Sequence, residues 1–256
     1  LHNLAKWPVA LLVLVLGVPG STAAQDALPW FHTYTIPGNY AVAGVDLVPL
    51  SFRDGLRTRT IRMSGVPANA EILAAFLYWE TVWSGPDTVL DGLRGQVQFR
   101  GQPVTAVKSS SKRLTGPYAS CIGIGNGQTM TMMRADVLRL LPLQLDENGE
   151  STGRRVVNDA DLLAKSLDSH TVTLPDSGIF NFAPQTAGAS LLVVYQDPNP
   201  ATPLRSVVVY DGIHIQAPYE ETRLTIRGFV DAVDGAAAKL TYIGGSGWAN
   251  STERVY

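Results

Sequence analysis

The sequence predicts an all-β protein: an antiparallel, jelly-roll-like β-sandwich with one or two short inserted helices. Three observations lead to this class. Gly and Pro are frequent, with 24 and 16 of the 256 residues, which suits short strands joined by turns. Hydrophobic residues make up 45% of the chain and charged residues only 16%, so a large core can form. Two β-branched runs, at 189–196 and 204–210, are apolar at successive positions.

Most predicted strands are apolar or β-branched runs bounded by Gly, Pro or Asn. They lie at residues 41–48, 57–63, 71–83, 128–133, 170–174, 189–196, 204–210, 223–230 and 237–243. Residues 71–83 (EILAAFLYWETVW) leave a helix open, because Ala, Leu and Glu favour helices. A strand is preferred there, since Phe, Tyr and Trp favour strands and Pro67 and Pro86 bound the run.

The segments between these strands predict turns, loops and short helices. Residues 96–107 form a predicted hairpin that turns at Gly101. Two polar loops are expected, at 109–113 (SSSKR) and at 145–155, the second with a tight turn at Asn148-Gly149. Two short helices are predicted, one at 134–141 (RADVLRLL), which Pro142 ends, and the other at 156–167.

The two β-branched runs around position 200 determine the predicted architecture. A sheet with one face in water alternates apolar and polar residues, and these runs do not. We therefore expect both runs to be covered on both faces, in the middle of the sandwich. The prolines between them cannot donate ladder hydrogen bonds. The simplest arrangement is an antiparallel pair joined by the loop 197–203.

The first residues are predicted to lie outside the fold. Lys6 precedes an apolar run at 9–18, and the small residues 21–24 follow Pro19-Gly20. This pattern is typical of a secretory signal peptide, residues 1–24. A membrane anchor is the alternative, but the run is too short for a hydrocarbon core of about 30 Å.

The remaining residues, 25–256, are predicted to form one exported β-sandwich domain, secreted or at the cell surface. We expect no membrane span in the mature chain. Because the sequence stops just after a Gly-rich turn at 244–247, a truncated C-terminus is expected.

Charge and cysteine content narrow the candidate partners. The formal net charge is −2, which disfavours binding to nucleic-acid phosphates, so no nucleic-acid partner is expected. Cys121 is the only cysteine, so no internal disulfide is expected in an exported chain. A small buried hydrophobe is the preferred interpretation of this cysteine, rather than a nucleophile.

No local catalytic motif or zinc-type histidine pair occurs in the sequence. His32, His170 and His214 are far apart in the chain. Calcium is the one candidate cofactor, because Asp146, Glu147 and Glu150 resemble part of a calcium loop without its full spacing. A solvated loop is the alternative for this stretch.

Candidate binding residues are Trp83, Asp197 and Asp211. Trp79, Trp83 and Trp248 could stack on sugar rings, although tryptophans in apolar runs usually belong to the core. Trp83, beside Gly85-Pro86, is the one expected to be exposed. The alternative for Asp211 is structural, since Tyr210-Asp211-Gly212 has the composition of a strand end followed by a turn.

Four stretches together resemble a known family. They are GVPANAEILAAFLYWE (65–80), VQFRGQPVTA (97–106), MTMMRADVLRLL (130–141) and ASLLVVYQDPNPATPLRSVVVYDG (189–212). The chain is similar, over roughly residues 40–245, to an uncharacterised domain of large secreted and surface-anchored bacterial and archaeal proteins. In those proteins the domain often precedes repeated β-sandwich modules. The resemblance implies an extracellular β-rich domain and supplies no catalytic residues.

The sequence therefore predicts a non-enzymatic secreted or cell-surface module, adhesin-like or structural. An extracellular glycan or another surface protein is its candidate partner. The alternative is a secreted hydrolase that acts on polysaccharide or peptide. Such an enzyme would use dispersed carboxylates or a Ser/His/Asp set assembled by the fold. The candidate carboxylates are Glu80, Asp87, Asp197, Asp211, Glu220 and Glu221.

Overall fold

A computed structural model describes residues 28–47, 55–114, 127–176, 183–215 and 238–244. The expected signal peptide 1–24, the strand predicted at 223–230, Cys121 and Trp248 lie outside these residues. The described part is strand-rich, with several antiparallel sheets and short helices, which confirms the predicted all-β sandwich class.

Thirteen strands follow one another in the described residues. They are β1 (Trp30–Ile36), β2 (Gly38–Asp46), β3 (Leu56–Ile61), β4 (Glu71–Trp83), β5 (Gln98–Phe99), β6 (Gln102–Pro103), β7 (Val107–Arg113), β8 (Thr129–Asp136), β9 (Leu143–Leu145), β10 (Ser151–Arg155), β11 (His170–Pro175), β12 (Gln185–Gln196) and β13 (Arg205–Tyr210). The helices are α1 (Asp87–Arg94), α2 (Asp159–Ala164) and a 3₁₀ turn at Leu138–Leu140. Neither α-helix of the described residues is long enough to cross a bilayer.

A five-stranded antiparallel sheet, the main sheet, organises the molecule. Its strand order is β2-β12-β4-β8-β7. The long strand β12 hydrogen-bonds with β2 along one edge and with β4 along the other, so that Leu192 faces both Val42 and Phe76. The strand predicted at 71–83 is confirmed as β4.

One face of the main sheet packs against the inner layer, the four-stranded sheet β3-β11-β5-β6. This inner core takes alternate residues of β4 and β12, including Leu77 and Leu191. Ile61, Val172 and Phe99 of the inner layer belong to the same cluster. Period-two alternation of the strands places these side chains on one face.

The opposite face of the main sheet packs against the outer layer, the two-stranded pair β1-β13. Leu192 and Val194 of β12 lie in one cluster with Val207 and Val209 of β13 and Ile36 of β1. Strand β12 is therefore covered on both faces, as its successive apolar residues predict. For these residues the architecture has three layers. The same expectation for 204–210 is wrong, because β13 lies in the outer layer and buries only alternate residues, Val207 and Val209.

The pairing predicted for the two runs is wrong. Residues 189–196 and 204–210 do form strands, but β13 hydrogen-bonds with β1 and not with β12. The physical reason is that both edges of β12 are already occupied by β2 and β4. The loop 197–203 carries the chain from the main sheet to the outer layer, so the two strands meet face to face.

Several other expectations need correction. The polar loop expected at 109–113 is part of β7, an edge strand of the main sheet. Residues 134–136 are the end of β8, because they pair with β4, and the 3₁₀ turn Leu138–Leu140 follows. The loop at 145–155 contains β10, which pairs with β9 across the predicted Asn148-Gly149 turn. Residues 238–243 form no strand.

The helix predicted at 156–167 is confirmed in its middle, as α2. Helix α1 was not predicted, although Pro86 and Asp87 are typical of a helix start.

Residues 238–244 lie against β2. The Thr241 Oγ1 and the Tyr40 hydroxyl are 2.8 Å apart. The Lys239 ammonium lies 4.3 Å from the centroid of the Tyr40 ring. This short segment thus covers part of β2 beside the outer layer.

His170 is a buried polar residue of the inner core. Its Nε2–H donates to the Val157 carbonyl at 2.8 Å, and its ring stacks on Phe99. Burial lowers the pKa of His170 to about 4, the dominant cause being desolvation of the charged form. The imidazole is therefore neutral in the folded chain at neutral pH.

We expect β12 to be sensitive to truncation on both faces. Leu191→Ala should lower the free energy of unfolding by about 2–5 kcal/mol, and Val194→Ala by about 1–3 kcal/mol, because each leaves a cavity. The control is Leu204→Ala, at a residue that is 67% exposed, which should change it by less than about 0.5 kcal/mol. Urea unfolding measures all three. A neutral Val194→Ala would contradict the covered outer face.

We also expect His170 to make stability pH-dependent. Its pKa is about 4 in the folded chain and about 6.5 when unfolded. The unfolded chain thus binds the proton first, and stability falls as the pH drops from 6.5 to 4. The loss should be about 3 kcal/mol. In His170→Gln, urea unfolding across this range should lack this contribution, and an unchanged pH dependence would contradict the assignment.

Candidate functional site

A groove, the outer groove, lies on the outer face of the main sheet. The outer layer packs over residues 74–78 of β4 and 192–194 of β12, whereas the groove lies over 78–80 and 187–190. Its volume is about 350 Å³. The residues that define it here are Gly44, Asp46, Tyr78, Glu80, Met132, Gly188, Ser190, Ile243 and Gly244.

Glu80 faces a β-bulge at the centre of this groove. On the two sides of it, Thr81 pairs with Thr186 and Trp79 pairs with Ala189. Two residues of β12, Ala187 and Gly188, therefore oppose the single residue Glu80. Bulges of this kind disrupt the ladder locally and often lie next to functional sites.

Gly188 allows the bulge to lie close to β2. A Cβ atom at this position would be 2.8 Å from the Val45 carbonyl oxygen, which is closer than real contacts allow. No side chain therefore projects from Gly188 into the groove. Gly44, on the neighbouring strand, lets the Ser190 hydroxyl lie close to the backbone, since a Cβ atom here would be 3.2 Å from the Ser190 Oγ.

The Glu80 carboxyl is half-buried and uncompensated. Desolvation by burial raises its pKa, and no neighbouring charge contributes to the shift. Among the described residues, none gives this carboxyl a hydrogen bond or an ion pair. On its other side the cross-strand neighbour is Met132, which offers no hydrogen-bond donor.

Tyr78 connects the groove to a second polar group. Burial raises the pKa of its hydroxyl, and the negative charge of Asp211 adds to the shift. The hydroxyl has no hydrogen bond of normal geometry within the described part of the chain. Arg134 lies close enough to lower the pKa in part.

The second polar group, the Arg134 cluster, consists of Arg134, Asp211, Ser109 and Phe31. Arg134 and Asp211 form an ion pair whose side chains are 17% and 11% exposed. The Ser109 hydroxyl donates to the other Asp211 oxygen at 2.5 Å. The guanidinium carbon lies 3.5 Å from the centroid of the Phe31 ring. The cluster joins β7, the edge strand of the main sheet, and its neighbour β8 to the outer layer.

This geometry favours the structural interpretation of Asp211. Its carboxylate holds the end of β13 on the main sheet, and its backbone N–H donates to the Pro29 carbonyl next to β1. Ser109 donates to the carboxylate directly. A hydroxyl activated for nucleophilic attack would instead donate to a base such as histidine.

The exposure expected for Trp83 is wrong. Trp83 is 4% exposed and belongs to the inner core. Its indole N–H donates to the Thr131 hydroxyl at 2.9 Å on the neighbouring strand. Trp79 is buried in the same core. Neither ring is available to stack on a sugar.

Asp197 stabilises its own loop. One carboxylate oxygen accepts the Asn199 backbone N–H, and the other accepts the Thr202 hydroxyl. This is the arrangement by which Asp commonly stabilises a turn. Asp197 thus sets the path by which the chain leaves β12 for β13.

The calcium candidates lie on an exposed hairpin turn. Asp146 accepts the backbone N–H groups of Asn148 and Glu150 with one oxygen. Glu147 and Glu150 are exposed. Within the described ranges, no three His, Cys, Asp or Glu side chains come together as a metal-binding group.

Known proteins offer no further guide to the site. No family model matches this chain. Comparisons with curated proteins and with solved structures also found no match. The site must therefore be interpreted from its own geometry.

Sequence reasoning missed the outer groove. Glu80 is one of the carboxylates considered there for hydrolysis, but its neighbours depend on the register between β4 and β12. A local signal is Gly188, just before the predicted strand 189–196, since a glycine within a strand suggests a bulge or a close approach.

We expect the Arg134–Asp211 pair to matter more than an exposed pair. Asp211→Asn should lower the free energy of unfolding by about 1–3 kcal/mol, because it leaves a largely buried guanidinium without its counter-charge. The matched control is Asp91→Asn, which breaks an ion pair with Arg94 at a side chain that is 67% exposed; its effect should stay below about 0.5 kcal/mol. Equal effects in thermal or urea unfolding would contradict this role.

Proposed function

We propose that this chain is a non-enzymatic module of a secreted or cell-surface protein, adhesin-like or structural, that binds an extracellular glycan in the outer groove. The observation that carries the proposal is Glu80, an accessible but desolvated carboxyl with no partner among the described residues. It faces a bulge on rigid central strands. Such a group gains most from a ligand that supplies donors.

The chemistry of the groove suits a polyhydroxylated ligand. Asp46, Glu80 and the Ser190 hydroxyl supply oxygen acceptors on three adjacent strands. Sugars carry many hydroxyl donors on a compact ring, and a groove of this size matches small-ligand sites. All three residues lie on strands, which hold a site more precisely than loops do.

Export is supported by the signal-peptide pattern of residues 1–24. The resemblance to a domain of secreted and surface-anchored proteins points in the same direction. In this proposal, the fold provides a layered scaffold and the groove provides recognition. Another surface protein is the alternative partner.

A secreted hydrolase is the second candidate function. The specific observation in its favour is that two carboxyls, Glu80 and Asp46, line one groove. A raised pKa, as burial gives Glu80, is what a general acid needs at neutral pH. Cleavage of a bound glycan by the wild-type chain, lost in Glu80→Gln, would favour this function over binding alone.

The test of glycan binding is an array probed with the full chain, with and without calcium. Gly44→Val should reduce binding at least about tenfold, because its added side chain fills the groove beside Ser190. Thr35→Val, on an exposed position of β1, is the control and should bind like the wild type. Absence of binding by the wild-type chain in both conditions would reject the glycan proposal.

A further inference from the structure

The described lining of the outer groove is acidic. Two of its lining residues, Asp46 and Glu80, are acidic. None of the described residues that line it is Lys, Arg or His. Glu80 therefore meets no basic side chain in the described lining of the groove, and no described residue pairs with it.

Two basic residues, one opposite Tyr78 and one in the segment that contributes Ile243, have other partners. Arg134 lies opposite Tyr78 on β8, but it pairs with Asp211 and stacks on Phe31. Lys239 donates to the Tyr40 carbonyl and lies over the Tyr40 ring. Neither charge is a cause of the raised pKa of Glu80, which burial produces.

The backbone leaves room for a ligand atom to reach Glu80. The opposing bulge presents Ala187 and Gly188 in place of a long side chain. Gly44, which pairs with Ser190 on the neighbouring strand, likewise has no side chain to block the groove. A cationic group that enters here meets a carboxylate already stripped of much of its water, where charge pairing is stronger than at an exposed site.

We propose that the outer groove binds a glycan that carries an unacetylated amino sugar, with the ammonium group paired to Glu80. The inference rests on the proposed glycan-binding function and names the ligand class for it. The acceptors beside Glu80, namely Ser190 and Asp46, bind the hydroxyl groups that flank an amino group on a sugar ring. A lysine side chain has only methylene groups in those positions, so the sugar fits the full set of acceptors better.

The experiment is isothermal titration calorimetry of the full chain with β-1,4-linked glucosamine oligomers. N-acetylglucosamine oligomers of equal length are the matched ligand, because acetylation removes the charge and keeps the ring. The glucosamine oligomer should bind at least about tenfold more tightly than its acetylated counterpart. Its affinity should decrease as salt is added.

Glu80→Gln is the decisive variant, since it removes the charge and nearly preserves the shape. It should weaken binding of the glucosamine oligomer by about 30-fold or more. Glu71→Gln, on the same strand at an exposed position, makes the same charge change outside the groove and should bind like the wild type. Circular dichroism and thermal melting verify that both variants fold. Glu80→Asp, which keeps the charge, should bind more tightly than Glu80→Gln.

The outcomes separate this inference from the proposed function. Equal binding of the acetylated and unacetylated oligomers, or a Glu80→Gln variant that binds like the wild type, would overturn the amino-sugar assignment and leave glycan binding in place. A lysine-rich peptide that binds through Glu80 more tightly than the glucosamine oligomer would overturn the choice of a sugar. If no glycan of either charge binds, the glycan-binding function itself fails.

Discussion

The double burial of β12 is the constraint on which the architecture depends. Its backbone groups are paired with β2 and β4 on its two edges, and its side chains are covered by the inner and outer layers on its two faces. Successive apolar residues such as Leu191, Leu192 and Val193 point alternately to the two faces of the strand, so each face needs an apolar layer packed against it. The outer pair β1-β13 exists in this position because a two-layer sandwich would leave Leu192 and Val194 in water.

Some polar side chains hold these layers together, and others line the outer groove. Arg134 and Asp211 join the main sheet to the outer layer, with Phe31 shielding the ion pair from water. Glu80 is different, because it faces a bulge where the ladder between β4 and β12 is interrupted. The outer layer ends before this point, so the same irregularity that breaks the pairing also opens the groove. Tyr78 links the two, because it lines the outer groove and lies close to Arg134 and Asp211.

Local sequence predicts the strands well and their partners poorly. The runs 71–83 and 189–196 are recognisable because they contain aromatic or β-branched residues, which favour strands. Pairing is decided by distant residues, so the antiparallel partnership of 189–196 and 204–210 was wrong. The SSSKR stretch is polar because β7 is an edge strand, where charge discourages further pairing. RADVLRLL has helical propensity, but pairing with β4 overrides it. Trp83 was expected to be exposed because it lies beside Gly85-Pro86. That dipeptide marks a change of chain direction and says nothing about the exposure of its neighbour, which lies in the inner core.

The outer layer also has a consequence for how the chain assembles. Strand β1 is the first described strand, yet its partner β13 is the last one. A chain that emerges from its N-terminus must therefore hold residues 30–36 unpaired until residues 205–210 arrive. Closing so long a loop is entropically costly and tends to be slow. Until that step, the apolar outer face of the main sheet is uncovered, and the nascent protein is most exposed to aggregation and to capture by chaperones.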